Sequence, residues 1–360
     1  MKKILLITLD ITLMGGVERS NNNLAKLFDS KGHPVTIISF FRSSEKPYFN
    51  FGDIDLVYLS NKPIGYGLIS KFFTLIYFFK LLTYLSNVKD NLVILSCFPR
   101  ITLLLSFFFS FPKKVIACEH SSFHIHNKLT QNLRIIFYKR LGCVVTLTEH
   151  DQHIFSKAGL DTFKIPNFTD FNKDIKPRTD KFLNSLVCIS VGRLHPHKGF
   201  DRLLEIAKDL ITENIKFIIV GSGSEEKRIR HLIDIYNLNS LVTLMPASNN
   251  LELLMSSADV LLMTSLTEAA PMVILEAFSY SKPVIAYDCP VGPREIISNN
   301  INGFLVNDGD KSQFVNKLKQ ILGSHILYNY LAENAGTYAK HNSSEHNYKL
   351  WSKLFNSRLS

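Results

Sequence analysis

The chain has 360 residues, 46% of them hydrophobic and 20% charged, with a net charge of +10. That composition excludes a disordered chain and leaves room for two domains with separate cores. Five cysteines without CxxC spacing exclude a disulfide framework or a cysteine metal site, and point to reduced, mostly buried thiols of a cytosolic protein.

The charge is unevenly spread. Residues 1–170 hold 20 Lys+Arg and 12 Asp+Glu, whereas residues 171–360 hold 21 and 19. The basic half is also rich in Phe and Leu and carries no nucleic-acid motif. Its expected partner is therefore an anionic membrane surface, and nucleic acid is not expected.

In chain order, Lys3–Leu9 reads as a buried first strand. A signal peptide is disfavoured because Asp10 breaks the short apolar run and no A-x-A site follows. No segment reaches the roughly 18 uninterrupted apolar residues of a spanning helix. Gly15-Gly16 follows, then a helix over 17–30 ending near Gly32, then strand Val35–Phe40, which together make a βαβ opening. The glycine pair is either a tight turn or a place where backbone approaches a ligand closely. Ile64–Leu85 is apolar apart from Lys71 and Lys80, whose spacing puts them on opposite helix faces. Ile101–Phe111 is uncharged and flanked by Arg100 and Lys113-Lys114. These stretches are either helices packed on a parallel sheet or a patch that dips into a bilayer interface.

Val115–His120 is a strand that places His120 at its carboxyl end, where ligands bind in open α/β sheets. His124 and His126 compete with it for that role. The H-x3-H-x-H run lacks the carboxylate or thiolate pattern of a metal site. Strand Gly142–Thr148, a helix to about Ala158 and strand Phe163–Pro166 complete a first domain over 1–166. Residues 167–184 are polar and read as a linker. The second domain, over 185–340, opens with strand Leu186–Val191. Arg193 and Lys198 flank the turn before a helix running from Phe200 to about Thr212. A planar fork and a point charge so spaced can meet one diphosphate. Gly221-Ser222-Gly223-Ser224 resembles a dinucleotide turn, but Glu226 stands where the third glycine belongs, so dinucleotide binding is not expected. Leu241–Met245 with Pro246 is the next strand and its exit.

The stretch Glu268-Ala269-Ala270-Pro271-Met272-Val273-Ile274-Leu275-Glu276-Ala277 follows an apolar strand at 259–264. Pro271 suits the first turn of a helix. The amides of Ala270, Met272 and Val273 would then surround a concavity favouring anions, framed by Glu268 in the loop and Glu276 on the helix. Strand Val284–Tyr287 runs into Asp288-Cys289-Pro290-Val291-Gly292-Pro293-Arg294-Glu295. Residues 310–323 and 325–340 read as helices. A last helix lies within 341–360.

The E-x7-E segment, Gly192-Arg193-Leu194-His195-Pro196-His197-Lys198-Gly199, and Gly292-Pro293-Arg294-Glu295-Ile296-Ile297 together resemble glycosyltransferase family 4. The resemblance spans nearly the whole chain and is strongest over 186–310. It implies an α/β protein of GT-B fold: two Rossmann-like domains with parallel sheets facing a central cleft, and a terminal helix returning to the first domain. It implies a retaining transferase in which Arg193 and Lys198 hold the diphosphate of the donor. Glu268 holds the sugar hydroxyls, Glu276 the ribose, His120 the sugar and β-phosphate, and the Gly16 amide a phosphate. Gly221 lies beside the nucleotide, and Met245-Pro246 beside the base. Ala269 stands where the family often has Gly, and Met245-Pro246 where an apolar residue and Gly are common, so the sequence departs from the family's pattern at the donor-sugar and base positions. Asp53-Ile54-Asp55 matches a metal-binding DxD, but in the wrong domain, so no essential metal and no cofactor are expected.

The Asp-Cys-Pro-x-Gly-Pro-Arg-Glu variant resembles bacterial members that build surface polysaccharides such as O-antigen or capsule. It implies a UDP-hexose or UDP-N-acetylhexosamine donor, galacto sugars being favoured. The implied acceptor is a polyprenyl-diphosphate-linked glycan at the cytoplasmic face of the inner membrane. The alternatives are an epimerase or hydrolase of the same fold, and a non-catalytic nucleotide-sugar binding protein.

Overall fold

A computed structural model describes residues 2–65, 67–88, 92–169, 185–247 and 251–358. The stretch read as a linker lies outside the described residues from 170 to 184, and the side chain of Lys71 lies outside them too. The chain divides into two compact units, one of residues 1–167 with 344–360 and one of residues 168–343.

The first unit is built on β1 (Lys3–Thr8), β2 (Val35–Ser39), β3 (Asp55–Tyr58), β4 (Leu92–Ser96), β5 (Val115–Glu119), β6 (Cys143–Thr146) and β7 (Thr162–Lys164). All pair in parallel, in the order β3-β2-β1-β4-β5-β6-β7. The central strands are unbroken Val/Ile/Leu-rich runs because helices cover both faces of such a sheet. Those helices are α1 (Gly16–Ser30), α2 (Gly67–Ser86), α3 (Pro99–Phe108), α4 (Lys128–Phe137) and α5 (Glu149–Lys157). Side chains of Asn127 and Thr148 accept from backbone amides to cap α4 and α5.

The second unit carries β8 (Leu186–Val191), α6 (Phe200–Lys208), β9 (Ile215–Val220), α7 (Glu226–Ile235), β10 (Val242–Met245) and α8 (Leu251–Ser257). Next come β11 (Val260–Met263), α9 (Met272–Ser279), β12 (Val284–Tyr287), β13 (Gly303–Val306), α10 (Lys311–Leu322) and α11 (His325–His341). Its parallel sheet runs β10-β9-β8-β11-β12-β13. Alternate residues of a strand feed opposite faces. Cys188 and Val260 therefore join one apolar cluster, while Ile189 and Leu261 join the other.

Helix α12 (Ser344–Arg358) closes the chain and packs in the first unit. Trp351 and Phe355 lie with ring centroids 5.6 and 5.7 Å from Phe28 of α1, and the Asn347 amide donates to the Pro166 carbonyl at 2.7 Å.

Three boundaries differ from the sequence reading. Helix α6 stops at Lys208, because the Leu210 and Glu213 amides turn back to Ala207 and Leu210. Pro271 sits just before α9 with extended backbone, rather than in its first turn. Helix α3 starts at Pro99, where proline's missing N–H costs nothing.

Candidate functional site

In each sheet the strand order reverses direction once, between β1 and β4 and between β8 and β11. The crevice beyond the carboxyl ends of strands at such a reversal is where open α/β sheets bind ligands. In the second unit, the two loops that leave β8 and β11 carry the Arg193–Lys198 turn and the Glu268 segment.

These loops are tied together. Gly199 has φ of +60°, a left-handed conformation, and a Cβ there would lie 2.3 Å from the Thr264 carbonyl oxygen, so only glycine fits. Thr264 Oγ1 donates to the Gly199 carbonyl at 2.8 Å, and the Leu266 amide donates to the His197 carbonyl at 2.8 Å. Lys198 Nζ then reaches Glu268 Oε1 at 2.6 Å. The Glu268 side chain keeps only 11% of its exposure, against 30% for Lys198. Arg193 is exposed, and its carbonyl accepts from the His195 amide.

The loop after β12 completes the group. Glu268 and Val291 form a parallel bridge, and the Gly292 amide donates to the Glu268 carbonyl at 3.3 Å. A Cβ on Gly292 would lie 2.8 Å from Glu268 Cβ and 2.9 Å from Pro271 Cδ. Beside it Val291 has φ of +76°, a strained state for a β-branched residue. Arg294 grips Asp288 with two parallel bonds of 2.9 Å and so braces the same loop.

Met272 and Val273 stand in the first turn of α9, where amides lack intrahelical acceptors. Glu276 lies half-buried further along that helix. Gly221 follows β9, and a Cβ there would sit 2.0 Å from the Gly192 carbonyl oxygen. The fold itself therefore requires glycine at 221. Met245 ends β10, its carbonyl accepting from the Gly221 amide at 3.0 Å, and Pro246 is exposed beside it.

Arg202 escaped the sequence reading. On α6 it lies 4.0 Å from the Tyr287 ring centroid, donates to the Thr264 carbonyl and pairs with Asp308 at 2.6 Å. No local pattern marks it, because its partners are 62 to 106 residues away.

The first unit holds the remaining two candidates, Gly16 and His120, at the carboxyl ends of β1 and β5. A Cβ on Gly16 would meet nothing within 4 Å. Both His120 ring nitrogens are shielded from solvent, with the Cys97 sulfur close enough to act on the ring. Burial lowers its pKa, but the Cys97 sulfur, Glu119 and Glu18 outweigh this, and the net direction is upward. His126 instead engages Ser121 Oγ at 3.0 Å, and burial with the Arg134 guanidinium drives its pKa down to about 4. His124 is exposed, 5.5 Å from the His150 ring. The three histidines thus have three distinct environments.

Behind His120, Glu119 and Arg134 form a wholly buried ion pair. Arg134 also lies 5.0 and 5.2 Å from the Phe123 and Phe155 ring centroids, and Asp151 accepts from the Phe123 amide at 3.0 Å. The loop after β5 is held by these groups.

Residues 171–338 match the family model described as glycosyl transferases group 1. The chain is 28% identical to the amylovoran biosynthesis glycosyltransferase AmsD of Erwinia amylovora, over 99% of this chain and 100% of that one. It is 31% identical to the Escherichia coli UDP-Gal:alpha-D-GlcNAc-diphosphoundecaprenol alpha-1,3-galactosyltransferase, over 56% of each. The crystal structure of Anabaena Alr3699/HepE in complex with UDP and glucose superposes with a TM-score of 0.83, covering 99% of this chain and 100% of that one at 20% identity. This is the GT-B fold. Both GT-B units are parallel-sheet, Rossmann-like α/β domains. The group 1 match covers the unit in which Arg193, Lys198, Glu268 and Glu276 lie.

Proposed function

We propose that this protein is a retaining glycosyltransferase of the family 4 type. It moves a hexose or N-acetylhexosamine, with galactose or N-acetylgalactosamine favoured, from a UDP-sugar to a polyprenyl-diphosphate-linked glycan. It works peripherally at the cytoplasmic face of the inner membrane, in bacterial surface-polysaccharide assembly, without an essential metal. The observation that carries this reading is the meeting of the loops that leave β8, β11 and β12, in which Glu268 touches both Lys198 and Gly292. The galactosyltransferase and AmsD likenesses support the reaction class and setting.

In this reading the bond from the anomeric carbon to the donor phosphate breaks while the acceptor oxygen bonds to that carbon on the same face. The departing phosphate takes the acceptor's proton. Negative charge grows on that phosphate, and in the second unit Arg193, Lys198 and the Ala270, Met272 and Val273 amides stabilise it more in the transition state than in the ground state; in the first unit His120 and the Gly16 amide are the proposed ligand contacts. Glu268 orients the sugar hydroxyls and Glu276 the ribose, a positioning role. Gly221, Met245, Pro246 and Pro271 shape the walls around the nucleotide.

The test is a panel of nucleotide sugars scored by the rise in melting temperature, followed by transfer onto a polyprenyl-diphosphate glycan in chelator. A UDP-galacto sugar is expected to stabilise the protein most, and the product linkage is expected to keep the donor's anomeric configuration. Stabilisation by no nucleotide sugar, an inverted product, or a strict Mn²⁺ or Mg²⁺ requirement would overturn the corresponding part. Rapid turnover of UDP-sugar without acceptor would favour the epimerase or hydrolase.

A further inference from the structure

Helix α2 is apolar on both sides. Phe78, Leu81 and Leu85 enter the core, while Ile69, Phe72, Ile76 and Phe79 recur at helical spacing on a face that stays in solvent. Phe72 retains 62% exposure. No helix among the described residues is long and apolar enough to cross a membrane.

The stripe continues onto α3. The Phe78 centroid lies 6.3 Å from Phe79 and 6.0 Å from Phe108, Phe108 lies 5.9 Å from Phe107, and Phe107 lies 4.2 Å from Phe137 of α4. Phe107, Phe108 and Phe111 are all exposed, Phe111 at 61%. A contiguous apolar surface of this kind marks an interaction site.

Charge says what covers it. Between Asp55 and Glu149 the sequence has eleven Lys and Arg and only two acids, Asp90 and Glu119. Glu119 is buried against Arg134. Cations border the aromatic surface directly: Arg140 donates to the Phe107 carbonyl, and Lys114 Nζ lies 5.3 Å from the Phe111 ring. A second copy of the chain would set like charges against each other. An anionic bilayer would take the aromatic rings below its headgroups and the cations among them.

We propose that the α2–α3 face, with Phe72, Phe79, Phe108 and Phe111 as its inserting side chains, docks the first unit onto an anionic lipid surface. The proposal deepens the membrane-borne acceptor of the proposed function and rests on that reading for its purpose, but its test needs no transfer.

The full-length protein is floated with phosphatidylglycerol/phosphatidylcholine vesicles and with phosphatidylcholine alone. It is expected to bind the anionic vesicles, more weakly at high salt. Phe72→Ser with Phe79→Ser, and separately Phe108→Ser with Phe111→Ser, are expected to weaken binding about tenfold or more. Lys113→Glu with Lys114→Glu should remove the preference for anionic lipid. Phe111→Trp should show blue-shifted emission on vesicles above the constant signal of the buried Trp351. Cooperative thermal melts of the serine variants within a few degrees of the parent chain verify that they fold. Absence of vesicle binding by the parent chain, or equal binding by the serine variants, overturns the proposal. So does a parent dimer that the serine variants dissociate without any vesicle binding. If no nucleotide sugar stabilises the protein, the proposed function fails while the vesicle result stands.

Discussion

Lys198 Nζ bonds Glu268 Oε1 across 70 residues of sequence, at 2.6 Å. The cation assigned to phosphate and the acid assigned to the sugar are thus one hydrogen-bonded unit. Each holds the other in place, and the pair is partly shielded, so its geometry survives better than that of a surface ion pair.

Glu268→Ala and Lys198→Ala are each expected to lower kcat/KM about 100- to 1,000-fold. The double variant should lose less than the product of the two, because either change alone disables the shared arrangement. Steady-state transfer rates decide this. Unchanged transfer by Glu268→Ala would remove Glu268 from the sugar site.

Two glycines separate packing from ligand approach. Gly292→Ala presses on Glu268 Cβ and Pro271 Cδ, so it should cost about 1–3 kcal/mol of stability together with activity. Gly16→Ala meets no neighbour and should leave urea melts unchanged or slightly improved. Activity lost in Gly16→Ala would then report a ligand close to that backbone.

Arg134→Ala leaves Glu119 buried without its counter-charge and is expected to destabilise the first unit by about 3–5 kcal/mol. Arg134→Met with Glu119→Leu should recover most of the loss, since the site is otherwise lined by Phe123 and Phe155. Denaturant titration measures both.

His126 has a folded-state pKa of about 4 against an ordinary value of 6.5, through burial and then Arg134. The unfolded chain therefore binds the proton more readily between those values, and stability falls as pH drops from 6.5 towards 4. His126→Gln should flatten that part of a melting-temperature profile and leave the region above pH 7 alike.

The parallel α/β class was legible from strands such as Leu186–Val191 and Val284–Tyr287, found where the apolar runs placed them. Such strands are buried on both faces, so local composition alone marks them. The α2–α3 region was open to two readings, because a one-dimensional pattern does not say which of two apolar stripes faces the core.

Local chemistry thus marked out strands, glycine turns and the residue types suited to holding a phosphate or a sugar, since each depends on neighbours within one turn or strand. Folding decided their partnerships. Lys198 with Glu268 depends on β8 lying beside β11, Gly292 against Pro271 on β11 lying beside β12, and Arg202 with Asp308 on β13 closing the same sheet. Adjacency of that kind arises from burying whole helix and sheet faces together, a property of the assembled sheet that no short stretch of chain contains.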